Sequence, residues 1–280
     1  MKKLQFLLLT KSIGGYINFL SFVNPGKAQR LAYRFFSEPR IGRLIDGKLP
    51  EILAVAERQT FSFEQNRFES FTWNGNENTI LLVHGWESNA ARWEKLLPYL
   101  QKTGSTIVAI DAPAHGLSTG KEFTVPRYAA FINIAAKHFK PSAIIGHSIG
   151  GVAAIYYQYK YQNPDLKRLI TLGAPSELQV IVDQYIDLLS LNPKAKKLLY
   201  QYFVDHFDVR INEFSSHLFA KSIAVDGLIA HDIKDDSVSF AEAEKIAANW
   251  KNASFIRTNG LGHSMHDDGL YEKIADFLII

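Results

Sequence analysis

The 280-residue sequence has no cysteine. Disulfides, a cysteine nucleophile and thiolate metal sites are therefore excluded, and the chain fits a reducing compartment. It also lacks a clean membrane span. Leu4–Leu9 is largely apolar, but Lys11 interrupts the run and Gly14-Gly15 follow. No small-x-small cleavage pattern comes after it, so a secretory signal is not expected. There is no nucleic-acid motif, internal repeat or low-complexity tract, and no carboxylate-rich cluster suggests a metal set. These absences leave a cytoplasmic globular protein with no cofactor and no nucleic-acid partner as the expectation.

What is present is a chain that is 47% hydrophobic, long enough for one α/β domain with insertions. Its net charge of +3 is unevenly spread: residues 1–60 hold ten Lys/Arg against four Asp/Glu. That stretch carries +6 and leaves −3 for the rest. Leu4–Val23 reads as an amphipathic or bent helix weakened at Gly14-Gly15. Residues 25–37 read as a second helix, with Leu31 and Phe35 on one face and Lys27, Arg30 and Arg34 on another. Residues 1–37 thus suit either packing on the domain or peripheral contact with an anionic membrane. Leu4, Leu7, Leu8, Phe19, Leu20 and Phe22 supply apolar area, and Lys2, Lys3, Lys11, Lys27, Arg30 and Arg34 supply charge. Residues 1–59 are read as an N-terminal helical extension to a domain covering 60–280.

Thr60–Phe63 and Phe68–Trp73 alternate apolar and polar residues around a polar turn, the pattern of an antiparallel hairpin. A β-then-α rhythm follows. Strands are predicted at Thr79–Val83, Thr106–Ile110, Ala143–Gly146 and Leu169–Leu172, with helices at Ala90–Leu100, Val125–Phe139 and Gly150–Tyr161. The rhythm stops over 176–222, which reads as two or three helices. It returns with strands Val225–Ala230 and Ser254–Arg257 and helices Phe240–Ala248 and Tyr271–Ile280. Such alternation predicts an α/β fold, a mostly parallel central sheet with helices on both faces. The insertion at about 176–222 is expected to form a helical lid over the carboxyl edge of the strands. Leu178, Ile181, Val182, Tyr185 and Leu189 share one helical face, while Val180, Ile186 and Leu188 lie off it. That extra apolar surface must meet a second lid helix or a ligand, which makes Leu178, Val182 and Tyr185 candidate substrate contacts, together with His147 beside the predicted serine.

The chemistry centres on Ala143-Ile144-Ile145-Gly146-His147-Ser148-Ile149-Gly150-Gly151. A short apolar strand passes into a helix through Gly-x-Ser-x-Gly. The turn must be sharp, and Gly146 and Gly150 leave room for it, so the Ser148 hydroxyl stands exposed at the tip beside His147. Serine needs a base, and the base needs an orienting anion. An acid-rich loop follows the strand after the insertion and offers Asp232, Asp235 and Asp236. A glycine-rich loop follows the last strand and offers His263, with His266 as competitor. An oxyanion hole needs main-chain N–H donors. Ile149 supplies one, and Trp86 in His84-Gly85-Trp86 supplies the second. His84 and His115 sit among turn residues and read as structural.

At these residues the chain resembles the α/β-hydrolase superfamily, in its serine-hydrolase, esterase- or lipase-like branch. His84-Gly85-Trp86 is similar to the family's oxyanion motif. Asp111-Ala112-Pro113-Ala114-His115-Gly116-Leu117-Ser118 is similar to its Asp-x-Pro-Gly-His-Gly-x-Ser loop, with Ala114 in place of glycine. His231-Asp232-Ile233-Lys234-Asp235 followed by Val238 resembles His-Gly-x-x-Asp-x-x-Val, with Asp232 in place of glycine. That register selects Asp235 as the acid, and Gly262-His263 matches the catalytic-histidine loop. The resemblance covers roughly residues 60–280. It implies a catalytic set of Ser148, His263 and Asp235, with Trp86 and Ile149 as oxyanion donors. The implied substrate is a small-molecule ester or thioester, and no metal is required. Amide cleavage on the same scaffold and a non-catalytic ligand-binding role are the alternatives.

Overall fold

The structure is a computed structural model and describes residues 2–279. The side chains of Lys2, Lys3 and Leu4 lie outside the described residues, as does Ile280 at the end of the last predicted helix. The chain opens with α1 (Lys2–Val23) and α2 (Pro25–Ser37). Next come α3 (Glu51–Ala54), β1 (Glu57–Phe63), β2 (Asn66–Trp73), β3 (Asn76–Val83), a 3-10 turn at Ala90–Lys95, and α4 (Leu97–Gln101). Then follow β4 (Ser105–Ile110), α5 (Val125–Phe139), β5 (Ala143–His147), α6 (Ile149–Tyr161) and β6 (Arg168–Leu172). After α7 (Leu178–Leu189), α8 (Pro193–Phe207) and α9 (Ser216–Ala220), the chain ends with β7 (Asp226–Asp232), α10 (Phe240–Asn249), β8 (Ala253–Thr258) and α11 (Asp268–Leu278).

The elements fall into two compact units, residues 39–176 with 216–280, and residues 1–38 with 177–215. The larger unit is built on one eight-stranded sheet in the order β1-β2-β4-β3-β5-β6-β7-β8. Strands β3 to β8 pair in parallel, and the β1–β2 hairpin joins β4 antiparallel at one edge. Successive residues of the central strands point to opposite faces, and both faces are covered. Ile80, Leu82, Ile145, Ile170 and Leu228 pack in one cluster with Trp93 and Leu97, and Leu270 and Ile274 of α11 join them. The alternate residues Leu81, Val83, Ile144, Leu169 and Ile229 are equally buried on the other face. This is the α/β-hydrolase fold.

The structure divides three stretches differently from the sequence pattern. Ala90–Leu100 is not one helix: the 3-10 turn, started by the Asn89 side chain accepting from the Ala91 N–H, gives way to the short α4. Pro98 in the first turn of α4 has no N–H to continue a longer α-helical ladder. The unit boundary also lies at 38/39 rather than 59/60, because Ile52 and Leu53 of α3 are buried in the sheet's own core. Likewise α9 belongs with α6 and α10 in the larger unit, so the helical insertion closes at Ser215, whose backbone bridges Glu177.

The smaller unit is all helical. Ile17, Tyr33, Val182, Ile186, Leu199 and Phe203 lie at the centre of its core. Gly14 does not bend α1. It lets α7 approach, since a β-carbon there would fall 1.7 Å from the Leu189 carbonyl oxygen. Tyr33 stacks on Tyr202 with ring centroids 4.2 Å apart.

The position of the central strand depends on its buried side chains. Ile145→Ala, at a fully buried site three residues before Ser148, should cost about 2–5 kcal/mol. Urea unfolding checks this: the midpoint should fall with the slope unchanged.

Candidate active site

Strand β5 ends at His147, and α6 begins at Ile149, so Ser148 alone makes the turn between them. Its backbone sits at φ +53°, ψ −128°. A non-glycine residue there is strained by about 1–3 kcal/mol and persists only where its surroundings hold it. The surroundings are visible. The Ser148 N–H donates to the Leu172 carbonyl at 2.8 Å. Gly150 lies so close to the end of β3 that a β-carbon would come within 2.3 Å of the Val83 carbonyl oxygen. The chain at Gly85 runs against the same turn, its missing β-carbon 3.0 Å from Ser148 Cβ.

Three predicted residues meet here. Ser148 Oγ lies 3.0 Å from His263 Nε2, and His263 Nδ1 lies 2.8 Å from Asp235 Oδ2. With Nδ1–H donating to the carboxylate, Nε2 is left to accept from the Ser148 hydroxyl. Asp235 is oriented by its other oxygen, Oδ1, which accepts from the Ser237 and Val238 N–H groups at 2.9 Å each. Burial raises the Asp235 pKa. The bonds from His263, Val238 and Ser237 outweigh that and hold it below the usual carboxylate range.

The rival residues are otherwise engaged. Asp232 Oδ1 accepts from the Lys234 and Gly260 N–H groups, and Oδ2 accepts from the Leu261 N–H and the Thr258 hydroxyl. It braces the loop that carries His263. Burial pushes its pKa up, but these four donors bring it far below the ordinary value. Among the described residues Asp236 accepts only from the Ser237 hydroxyl, at 3.2 Å. His266 pairs with the Tyr271 hydroxyl.

Trp86 is half-buried, its indole edge-on to His115 and Phe123 at centroid distances of 5.3 and 5.6 Å. No hydrogen bond among the described residues engages the N–H of Trp86 or of Ile149. The loop carrying Trp86 is braced by two neutral histidines. His84 Nδ1–H donates to the Gly85 carbonyl while Nε2 accepts from the Ala112 N–H. His115 Nδ1–H donates to the Pro113 carbonyl while Nε2 accepts from the Glu87 N–H. Burial holds His84 well below its usual pKa and lowers His115 to about 4. Asp111 links the same loops by accepting from Ala90 and Leu117, and burial raises its pKa to about 7.

The other predicted contact residues are engaged in interactions within their own units. The His147 ring is buried, and its Nε2–H donates to the His263 carbonyl at 2.8 Å. Burial, reinforced by the Arg92 charge, keeps it neutral. Sequence reasoning passed over Arg92, whose Nη2 donates to the Ser264 carbonyl at 2.9 Å. Two consecutive carbonyls of the histidine loop are therefore held by side chains from different elements, and no local pattern signals it. Leu178, Val182 and Tyr185 belong to the core of the smaller unit. Val182 is fully buried there, and Tyr185 donates to the Ala32 carbonyl at 2.8 Å.

Comparison with known proteins agrees with this architecture. Residues 78–202 match the family described as alpha/beta hydrolase fold. A human serine hydrolase-like protein is 30% identical over 149 residues, covering 50% of this chain and 68% of that protein. A pimeloyl-[acyl-carrier protein] methyl ester esterase of Neisseria meningitidis is 27% identical over 157 residues, covering 56% of this chain and 59% of the esterase. The match thus spans less than two thirds of that esterase's length. Among solved structures, mouse alpha/beta hydrolase domain-containing protein 10 superposes with a TM-score of 0.62 at 15% identity, covering 80% of this chain and 97% of that one. By its sheet order, its strained serine turn and these matches, the chain belongs to the α/β-hydrolase superfamily.

Proposed function

We propose that this protein is a serine hydrolase that cleaves a carboxylic ester or thioester with a hydrophobic part. The observation that carries this reading is the unbroken hydrogen-bonded line from Ser148 through His263 to Asp235. Ser148 Oγ attacks the carbonyl carbon as His263 Nε2 takes its proton. Asp235 holds the ring in the tautomer that leaves Nε2 free and stabilises the imidazolium that forms. The unengaged N–H groups of Trp86 and Ile149 receive the developing oxyanion, a contribution of about 3–4 kcal/mol per donor in comparable sites. His263 then returns its proton to the leaving group. Water, activated by the same ring, releases the acyl group from Ser148.

Ester chemistry draws support from similarity to a protein named as a methyl ester esterase and to one named as serine hydrolase-like. The hydrophobic part of the substrate draws support from the half-buried Trp86 indole and the Phe123 ring packed on it. If an apolar pocket receives the acyl chain, each added methylene should improve binding by up to about 0.8 kcal/mol until the pocket is full. On p-nitrophenyl esters, kcat/KM should rise from acetate toward medium chains and then fall. A steady decline from acetate would mean a small pocket.

Two substitution tests follow. Ser148→Ala should lower kcat on the best ester by about 10⁶ while the unfolding midpoint holds or rises. Undiminished turnover would remove the serine mechanism.

The two loop carboxylates should separate. Asp235→Asn should lower kcat by about 10⁴, because the amide favours the wrong imidazole tautomer. Asp232→Asn should instead cost stability, about 1–3 kcal/mol, since its amide cannot accept from all four donors. Asp232 has a depressed pKa, so its contribution is full above about pH 4 and is lost as the pH falls from there. The stability gap between the native protein and Asp232→Asn should narrow over that range in acid-unfolding curves.

A further inference from the structure

Helix α1 is apolar on two sides, one buried in its own unit and one exposed. Its inner stripe carries Thr10, Gly14, Ile17, Leu20 and Ser21, all buried; Leu20, expected to supply apolar area to a membrane, packs instead with Ile17 in the core of the smaller unit. That side is tied to the α7–α8 turn by polar bonds. The Asn18 side chain donates to the Ser190 carbonyl at 2.8 Å and accepts from the Asn192 N–H at 2.7 Å. Lys11 Nζ donates to Ser190 Oγ at 2.7 Å, and the Asn192 amide donates to Ser21 Oγ at 3.3 Å. The outer stripe is apolar: Leu8, Phe19, Phe22 and Val23 are 60–66% exposed, with Tyr16 between them. A helix facing water places polar residues outward and apolar ones inward. An exposed apolar stripe of this length marks an interaction surface.

Charge identifies the occupant. Residues 1–37 contain no acidic residue. The margins of the stripe carry lysines: Lys27 donating to the Tyr16 hydroxyl at 3.2 Å, and Lys194 over the Phe22 ring at 4.8 Å. Neither pairs with a carboxylate among the described residues. Apolar side chains flanked by lysines, with an aromatic hydroxyl at the boundary, match the interface of an anionic bilayer. By length and composition Gln5–Val23 is able to cross a membrane. Its inner side, however, is occupied by polar bonds to its own unit, which a fully lipid-surrounded helix cannot keep. We infer that α1 lies in the plane of an anionic lipid surface, with Leu8, Phe19, Phe22 and Val23 inserted and Lys27 and Lys194 against the headgroups.

The test is flotation of the full chain with phosphatidylcholine vesicles, with and without phosphatidylglycerol. Binding should require phosphatidylglycerol and weaken as salt rises. Phe19→Asp with Phe22→Asp should reduce it by about 100-fold or more. Lys27→Gln with Lys194→Gln should reduce it about 30-fold on the anionic vesicles. All four positions are exposed, so circular dichroism and the unfolding midpoint should stay unchanged and separate lost binding from lost folding. Three outcomes would overturn the inference. One is absence of binding to either vesicle. Another is self-association, seen by sedimentation velocity, that the phenylalanine variant abolishes while vesicles are ignored. The third is salt-insensitive association that only detergent reverses, which would mean a spanning helix.

Discussion

The backbone of Ser148, held at a positive φ between β5 and α6, is the constraint on which the rest of the larger unit depends. The conformation is costly by itself, so the sheet must impose it. The Leu172 carbonyl accepts the Ser148 N–H, and the backbone at the end of β3 leaves space only for glycine at position 150. The neighbouring strands β3 and β6 therefore do more than complete a sheet. They fix one hydroxyl at the carboxyl edge, the side on which open α/β sheets gather their ligands.

The loops around this point are rigid for a common reason: buried polar side chains satisfy main-chain groups that loops would otherwise leave unpaired. His84 and His115 remain neutral because burial disfavours their charge, which lets each donate from one ring nitrogen and accept at the other. Asp232 saturates four donors around the histidine loop, and His147 and Arg92 hold that loop's next two carbonyls. The geometry from Ser148 to Asp235 is thus set by residues that need not touch a substrate. His231 belongs to this group: its ring is fully buried, and its Nε2–H donates to the Val238 carbonyl at 2.9 Å beside Asp235.

Much of this was legible from residue pattern. Strand–helix alternation gave the parallel sheet, because period-2 and period-3.6 patterns reflect which side chains are buried. The motif register gave Asp235 over Asp232. What escaped had non-local causes. Amphipathicity of 178–189 specified an apolar face but not its partner, which proved to include the helices of residues 1–38. The reach of Arg92 to a carbonyl 172 positions away has no local signal. Ala114 was visible as a departure from the usual glycine, and the structure gives that departure a cost, since Ala114 has φ +64°. Asp232 was visible as another, and it proves to brace the loop rather than compete for the base.

The proposed mechanism requires that Ser148 form a covalent acyl intermediate. It is tested most directly by treating the folded protein with a fluorophosphonate, digesting it and locating the adduct by mass spectrometry. Stoichiometric modification of Ser148 alone is expected, with loss of ester hydrolysis in step with labelling. Modification at another residue, or hydrolysis that continues in a fully labelled sample, would contradict it.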